Sequence, residues 1–399
     1  MLLKLLLISI MLIALASCSA QKNSNNQAKT IKLGNERIEE YIPLLNSKRV
    51  GIVANHTSII NNKHLVDTLT ALGVNIKRIF SPEHGFRGEG DAGQHIKNQI
   101  DERTGIPVIS LYGNRKKPTH DEFNNLDVIV FDMQDVGVRI YTYISTMHYV
   151  METCAEMNLP FLILDRPNPN GFYVDGPVLD TSFRSFVGMH PVPLVHGMTM
   201  GEFAQMINGE GWLEESKECS LTVIPCLNYT HDSTYVLPVP PSPNLPNQTS
   251  VYLYPSLGFF EGSVISVGRG TNFPFQVFGH PNFHEMEFSF TPMSKPGASK
   301  NPPYKGETCH GIDLRDYNPD FFLKERRINL EWLKFAYEAY PNKEEFFNNF
   351  FNLLAGNNIL KEQIKKGIDE ETIRNSWNPA IQNFMKTREK YLLYPDFTE

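Results

Sequence analysis

Five short apolar runs recur between residues 49 and 164, and polar residues follow nearly every one. They are RVGIVA (Arg49–Ala54), IKRIF (Ile76–Phe80), PVISL (Pro107–Leu111), DVIVF (Asp127–Phe131) and PFLIL (Pro160–Leu164). Runs of this length are strand-sized, and near-continuous apolar character marks strands covered on both faces. Helix-length segments separate them, including His64–Leu72 and Tyr143–Met157. The alternation predicts an α/β chain with a mostly parallel sheet and helices on both sides. In such a sheet the carboxyl ends of the strands share one edge, so the loops leaving them can build a single pocket.

The loop after the second run is the densest in chemistry. In IFSPEHGFRGEGDAG, Glu83, His84, Arg87, Glu89 and Asp91 fall between Gly85, Gly88, Gly90 and Gly93. Glycines allow sharp bends and close backbone approach to a ligand, as an active-site loop needs. Glu83, beside Pro82 and Phe86, is the leading general-acid candidate, because desolvation raises a carboxyl pKa toward a useful range. A salt bridge to Arg87 or His84 would do the opposite. Asp132 and Asp135 follow the fourth run in FDMQDVGVRIYTY and offer a second carboxylate; helix capping or a pairing with Arg139 is the structural alternative. Glu261, just before GSVISVGRGT, is a further acid. Arg87, Arg139 and Arg269 sit in glycine-bearing loops, where a guanidinium can grip a carboxylate in two places or serve an internal ion pair.

Several chemistries are excluded by what is missing. No phosphate-binding P-loop, no GxSxG elbow and no GxGxxG opening a helix occurs. His84, His190 and His196 lack metal-ligand spacing, so no metal and no cofactor is expected. Ser81 or Ser145 with a histidine would make an esterase or amidase, but neither lies in an elbow.

The first 20 residues, MLLKLLLISIMLIALASCSA, read as an export leader rather than fold. Leu15-Ala16-Ser17-Cys18 has the form of a lipobox, so residues 1–17 are expected to be a lipoprotein signal peptide and Cys18 the lipidated mature terminus. Residues 18–34 form a polar tether. The expected address is the bacterial envelope, lipid-anchored and periplasm-facing, with the membrane as a partner through Cys18. Net charge is −7, and losing Lys4 with the leader makes it one unit more negative, which argues against nucleic acid. Cys154, Cys219, Cys226 and Cys309 show no zinc-type pair, and their spacing specifies no disulfide.

Further along, Met198–Asn208 is a helix with Thr199 and Glu202 as a capping box. VLPVPPSPNLP (Val236–Pro246) holds five prolines and is either a rigid connector or a wall of the cleft. Gly262–Gly268 resembles a strand, Glu285–Thr291 alternates as one, and the tail is helical, with Pro379 as a first-turn proline. Residues 282–399 are expected to be a smaller α+β domain, whose aromatics mainly build its core.

The motifs SPEHGFRGEGDAG, FDMQDVGVRIYTYISTM, LDRPNPNG with VDGPVLD, SFVGMHPVPLVHGMTMGE and EGSVISVGRGTNFPFQVFGHP occur in that order. Together they resemble the NamZ-type exo-β-N-acetylmuramidases over residues 35–395. The resemblance implies a Rossmann-like domain over residues 35–281, the smaller domain over 282–399, and a cleft between them. It implies hydrolysis that releases N-acetylmuramic acid from the non-reducing end of peptidoglycan fragments. It maps the family's acidic-loop glutamate to Glu83 and a second family position to Glu261. Where many relatives carry glutamate in VDGPVLD, this chain has Asp175 and Asp180.

The expected catalytic set is therefore Glu83, Glu261, Asp132 and Asp135. The expected sugar contacts are His84, Arg87, Arg139, Tyr141, Asn168 and Arg269; the lactyl carboxylate of muramic acid gives the arginines a partner. A lipoprotein that binds cell-wall sugars without cleaving them is the alternative.

Overall fold

The computed structural model describes residues 30–83, 85–87, 98–113 and 115–398. Lys32–Glu399 pack as one unit. Its centre is a seven-stranded sheet: β1 (Val50–Ala54), β2 (Ile76–Ser81), β3 (Gln99–Ile100), β4 (Pro107–Ser110), β5 (Val128–Asp132), β6 (Phe161–Leu164) and β7 (Leu221–Ile224). The spatial order is β3-β4-β2-β1-β5-β6-β7. Every pairing is parallel except β3 with β4.

The apolar runs divide by the twofold period of a strand. Val53, Phe80, Ile129, Phe131, Phe161 and Ile163 face one hydrophobic cluster. Val50, Ile52, Ile79, Val130, Leu162 and Leu164 face the other. Continuous runs thus carry two alternating half-sets, each buried by its own layer. The second layer includes helix α1 (Ile38–Leu45) and α2 (Leu65–Ala71). The first includes α3 (Tyr143–Met157) and α4 (Met200–Gly209). Thr199 and Glu202 cap α4 reciprocally, as expected.

Beyond the sheet come α5 (Gln248–Leu257), a three-stranded antiparallel sheet, and a helical tail. The small sheet consists of β8 (Val277–His280), β9 (Phe288–Phe290) and β10 (Cys309–Asp313), in the order β8-β10-β9. The tail includes α6 (Glu331–Ala339), α7 (Phe351–Ala355) and α8 (Glu370–Glu389).

Two local expectations are corrected. Gly262–Gly268 is no strand: its backbone makes single bridges, Ser263 to Phe347 and Ser266 to Gly279. Gly262 is instead a close-approach point, where a Cβ would sit 2.4 Å from the Phe351 Cα, so side-chain-free packing takes precedence over a ladder. Pro379 lies inside α8, not at its start. Asp369 caps that helix by accepting from the Thr372 N–H, so its first residue, Glu370, lies nine residues upstream of the proline.

The described residues contain no helix long and apolar enough to cross a membrane. The leader, including Cys18, lies outside the described residues.

Candidate active site

A cleft of about 220 Å³ opens at the carboxyl ends of β2 and β4 and the amino end of α3. Glu83 enters it from the loop after β2, and Tyr112 from the end of β4. Tyr141 and Tyr143 enter where the segment after β5 turns into α3. Ser242, Asn244 and Leu245 of the proline-rich stretch form one wall. That stretch cannot join a sheet or helix because proline lacks the N–H and fixes φ, so a rigid irregular wall is what its composition permits. Glu261 and Arg269 close another side, and Phe350, next to α7, completes it.

Charge in the cleft is organised in two units. Arg269 donates to Glu261, Nε to Oε1 at 2.8 Å and Nη2 to Oε1 at 2.6 Å. Its guanidinium also lies 5.0 Å from the centroid of Phe275. Burial works against the Arg269 cation, but the carboxylates of Glu261 and Glu83 outweigh it and hold its pKa above the ordinary value. The second unit is Glu83 with Tyr112. Burial raises the Tyr112 pKa, and the adjacent Glu83 charge and a hydrogen bond to Glu83 raise it further. Tyr112 therefore stays neutral and donates to the glutamate.

Four residues expected from the sequence meet here: Glu83, Glu261, Tyr141 and Arg269. The others that the structure describes do not line this cleft. Asp132 is fully buried and held by Arg166, Nε to Oδ1 at 2.6 Å, with Asn35 donating to Oδ2 at 3.0 Å. Its lone pairs are occupied by an internal ion pair. Asp135 accepts from the Gly137 N–H at 2.7 Å. Burial pushes its carboxyl up to about 7; it sits close enough for its charge to act on Tyr141, Tyr143 and Tyr254, which makes it part of the floor's support.

Arg139 grips no carboxylate. It is fully buried and donates to four carbonyls, those of Pro177, Val192, Leu354 and Ala355, at 2.7–2.9 Å. Asn168 donates to the Met198 carbonyl at 3.0 Å and accepts from the Asn170 N–H at 2.8 Å. Its amide fills the space beside Gly137, whose φ of +74° only glycine adopts readily. Arg87 pairs with Asp101 at 2.8 Å and Asp67 at 3.0 Å, away from the cleft. His84 lies outside the described residues.

Sequence reasoning missed Tyr112, Tyr143, Tyr254 and Phe350 as lining residues. Tyr112 was findable, since it directly follows a strand at the functional edge. Tyr143 is the first residue of α3 and stands in the same motif as Tyr141. Tyr254 and Phe350 carry no local signal; chain distance hides them. Among the described residues, no group of three or more histidine, cysteine or acidic side chains is placed to hold a metal ion.

Comparison with known proteins places this arrangement. The family model described as exo-beta-N-acetylmuramidase NamZ, N-terminal, matches residues 50–249. Its C-terminal counterpart matches residues 252–394. The chain is 39% identical to peptidoglycan beta-N-acetylmuramidase NamZ of Bacillus subtilis (strain 168), covering 95% of this chain and 96% of that one. A crystal structure of a DUF1343 family protein from Bacteroides fragilis NCTC 9343 superposes with a TM-score of 0.86 at 46% identity, over 92% of this chain and all of the other. A second DUF1343 protein from the same organism gives 0.78 at 31% identity, over 91% of this chain and 99% of that one. The chain thus belongs to the NamZ exo-β-N-acetylmuramidase family.

Proposed function

We propose that this chain is a glycoside hydrolase that releases N-acetylmuramic acid from the non-reducing end of peptidoglycan fragments, with Glu83 as general acid and Glu261 as second carboxylate. The observation that carries the site assignment is that these two glutamates line one cleft. Glycoside cleavage needs such a pair: one carboxyl protonates the leaving oxygen, the other acts as base or nucleophile at the anomeric carbon. Glu83 lies on a loop at the edge of the sheet, with Tyr112 orienting it. Glu261, salt-bridged to Arg269, suits the carboxylate role. The cleft, about 220 Å³, is smaller than typical ligand pockets of about 300–1,000 Å³. That size favours one terminal sugar over an internal stretch of glycan.

Replacing Glu83 by Gln keeps the shape and removes the proton donor. Release of muramic acid from a chromogenic muramide should fall by about 10²–10⁴-fold while the melting temperature stays near that of the wild type. Turnover at the wild-type rate would remove Glu83 from the mechanism. Tight binding of muramide by wild-type protein with no hydrolysis would favour a sugar-binding lipoprotein instead.

For the address, the lipobox around Cys18 supports an envelope lipoprotein. Cys18→Ala should abolish lipid labelling and shift the protein from the membrane to the soluble fraction. Unchanged membrane association would sink the anchor.

A further inference from the structure

Three basic residues in a row, Arg115, Lys116 and Lys117, follow β4 on the sheet edge that carries the cleft. Acids neutralise the outer two. Arg115 pairs with Glu122. Lys117 pairs with Glu156 at 2.7 Å and Glu152 at 3.1 Å. The middle residue is different. Among the described residues the Lys116 side chain forms no ion pair and no hydrogen bond, and its Nζ lies 4.5 Å from the centroid of the Phe186 ring. Phe186 is a wall of the cleft. A ring face attracts a cation but has no net charge, so Phe186 holds the ammonium beside the cleft without cancelling it. Both side chains are partly buried.

The cleft lacks any other cation that could meet an anion. The charged groups among its described lining are Glu83, Glu261 and Arg269. With Glu83 protonated their charges sum to zero; with Glu83 ionised they are negative. In neither state does the lining attract a carboxylate. Arg269 commits Nε and Nη2 to Glu261. Arg87 is held by Asp67 and Asp101, and Arg139 by four carbonyls. Yet N-acetylmuramic acid differs from N-acetylglucosamine by a lactyl carboxyl, which is ionised at neutral pH. That group leaves the sugar at O3 rather than at the anomeric carbon, so it reaches a wall of the cleft instead of the space between the two glutamates. A lysine, with its flexible stem and compact charge, suits such a wall.

We propose that Lys116 is the specificity-determining residue that separates muramic acid from its neutral counterpart, by pairing its ammonium with the lactyl carboxylate at the Phe186 wall. The inference rests on the muramidase reading and deepens it by moving carboxylate recognition from the arginines to a lysine. A carboxylate on an attached stem peptide is the other source of the same chemistry. The cleft favours one terminal sugar, which puts the lactyl group closer to the wall than anything attached beyond it.

The test is calorimetric titration of three ligands into wild-type protein, Lys116→Met and Lys116→Gln. The ligands are N-acetylmuramic acid, its methyl ester, and an N-acetylmuramoyl dipeptide in which the lactyl carboxyl is an amide. Wild-type protein should bind the acid about tenfold more tightly than the ester, the worth of one hydrogen bond between charged groups. Either variant should bring the acid down to the affinity of the ester and leave the ester and the dipeptide unchanged. Rising salt should weaken acid binding by the wild type and not by the variants, because a partly exposed charge pair is screened.

Equal losses for acid and ester would make Lys116 a packing residue and overturn the proposal. So would a preference for the acid that survives in both variants, which would give the carboxylate to Arg269. A loss confined to the dipeptide would assign the lysine to a peptide carboxylate and overturn the lactyl assignment. Absence of hydrolysis by the wild type, with the titrations as expected, would sink the muramidase reading alone, since the titrations do not depend on turnover.

Discussion

A charged side chain after a strand is ambiguous until its partner is known. Asp132 ends one central strand and Glu83 follows another, yet Asp132 is sealed against Arg166 while Glu83 lines the cleft. Asp135 differs again: among the described residues no cation acts on it, and burial lifts its carboxyl to about 7 from an ordinary 3.8. Asp165, also buried, is raised to about 6, although Tyr394 donates to it at 2.6 Å. For an acid raised in the folded state, the native protein holds the proton longer than the unfolded chain. The stability it contributes is full below about pH 4 and is lost as pH rises through 6–7. Asp135→Asn should remove its share of that loss. By linkage the variant should gain up to about 4 kcal/mol over wild type at pH 8, and the gap should close near pH 4. Melting curves across that range check it; a constant offset would refute the sign.

Helices and strands show which local rules held. The apolar runs became β1, β2, β4, β5 and β6, and Tyr143–Met157 became α3, because strand burial and helix periodicity are written in residues adjacent in sequence. The α4 capping box was legible for the same reason: donor and acceptor are three residues apart. Legibility failed where an element answers to a distant surface. GSVISVG has strand composition but abuts α7. Pro379 has first-turn chemistry but lies within α8, which side chains such as Trp377 and Phe384 hold in the core. An interior proline removes one backbone hydrogen bond and crowds the preceding turn. Position 379 is exposed, so Pro379→Ala should stabilise the protein by about 1–3 kcal/mol. Chemical denaturation would show it as a higher midpoint with an unchanged slope, and a lower midpoint would mean the proline fits a bend that the fold requires.

Across the molecule, Arg139 ties the segment before α3 to α7, 215 residues away in the chain. Its burial without a carboxylate drives its pKa down to about 9, and four carbonyls compensate the charge in part. Arg139→Met would strip those carbonyls of their donor. We expect a loss of about 3–5 kcal/mol and, because Ile140–Tyr143 follow directly, a damaged cleft. Equilibrium unfolding together with muramide binding tests this; wild-type stability would mean that water replaces the guanidinium.

The chain alone determined the parallel sheet, the edge where its loops gather, and a glutamate on a glycine-rich turn there. Those depend on side-chain size, period and backbone freedom, which act over a few residues. Folding in three dimensions decided which polar groups reach the cleft. Arg139, Asn168 and Asp132 went to interior partners, while Tyr254, Glu261 and Phe350 arrived from far along the chain. A charge or hydroxyl takes whichever partner satisfies it best once water is excluded, and that partner is set by packing rather than by neighbours in sequence.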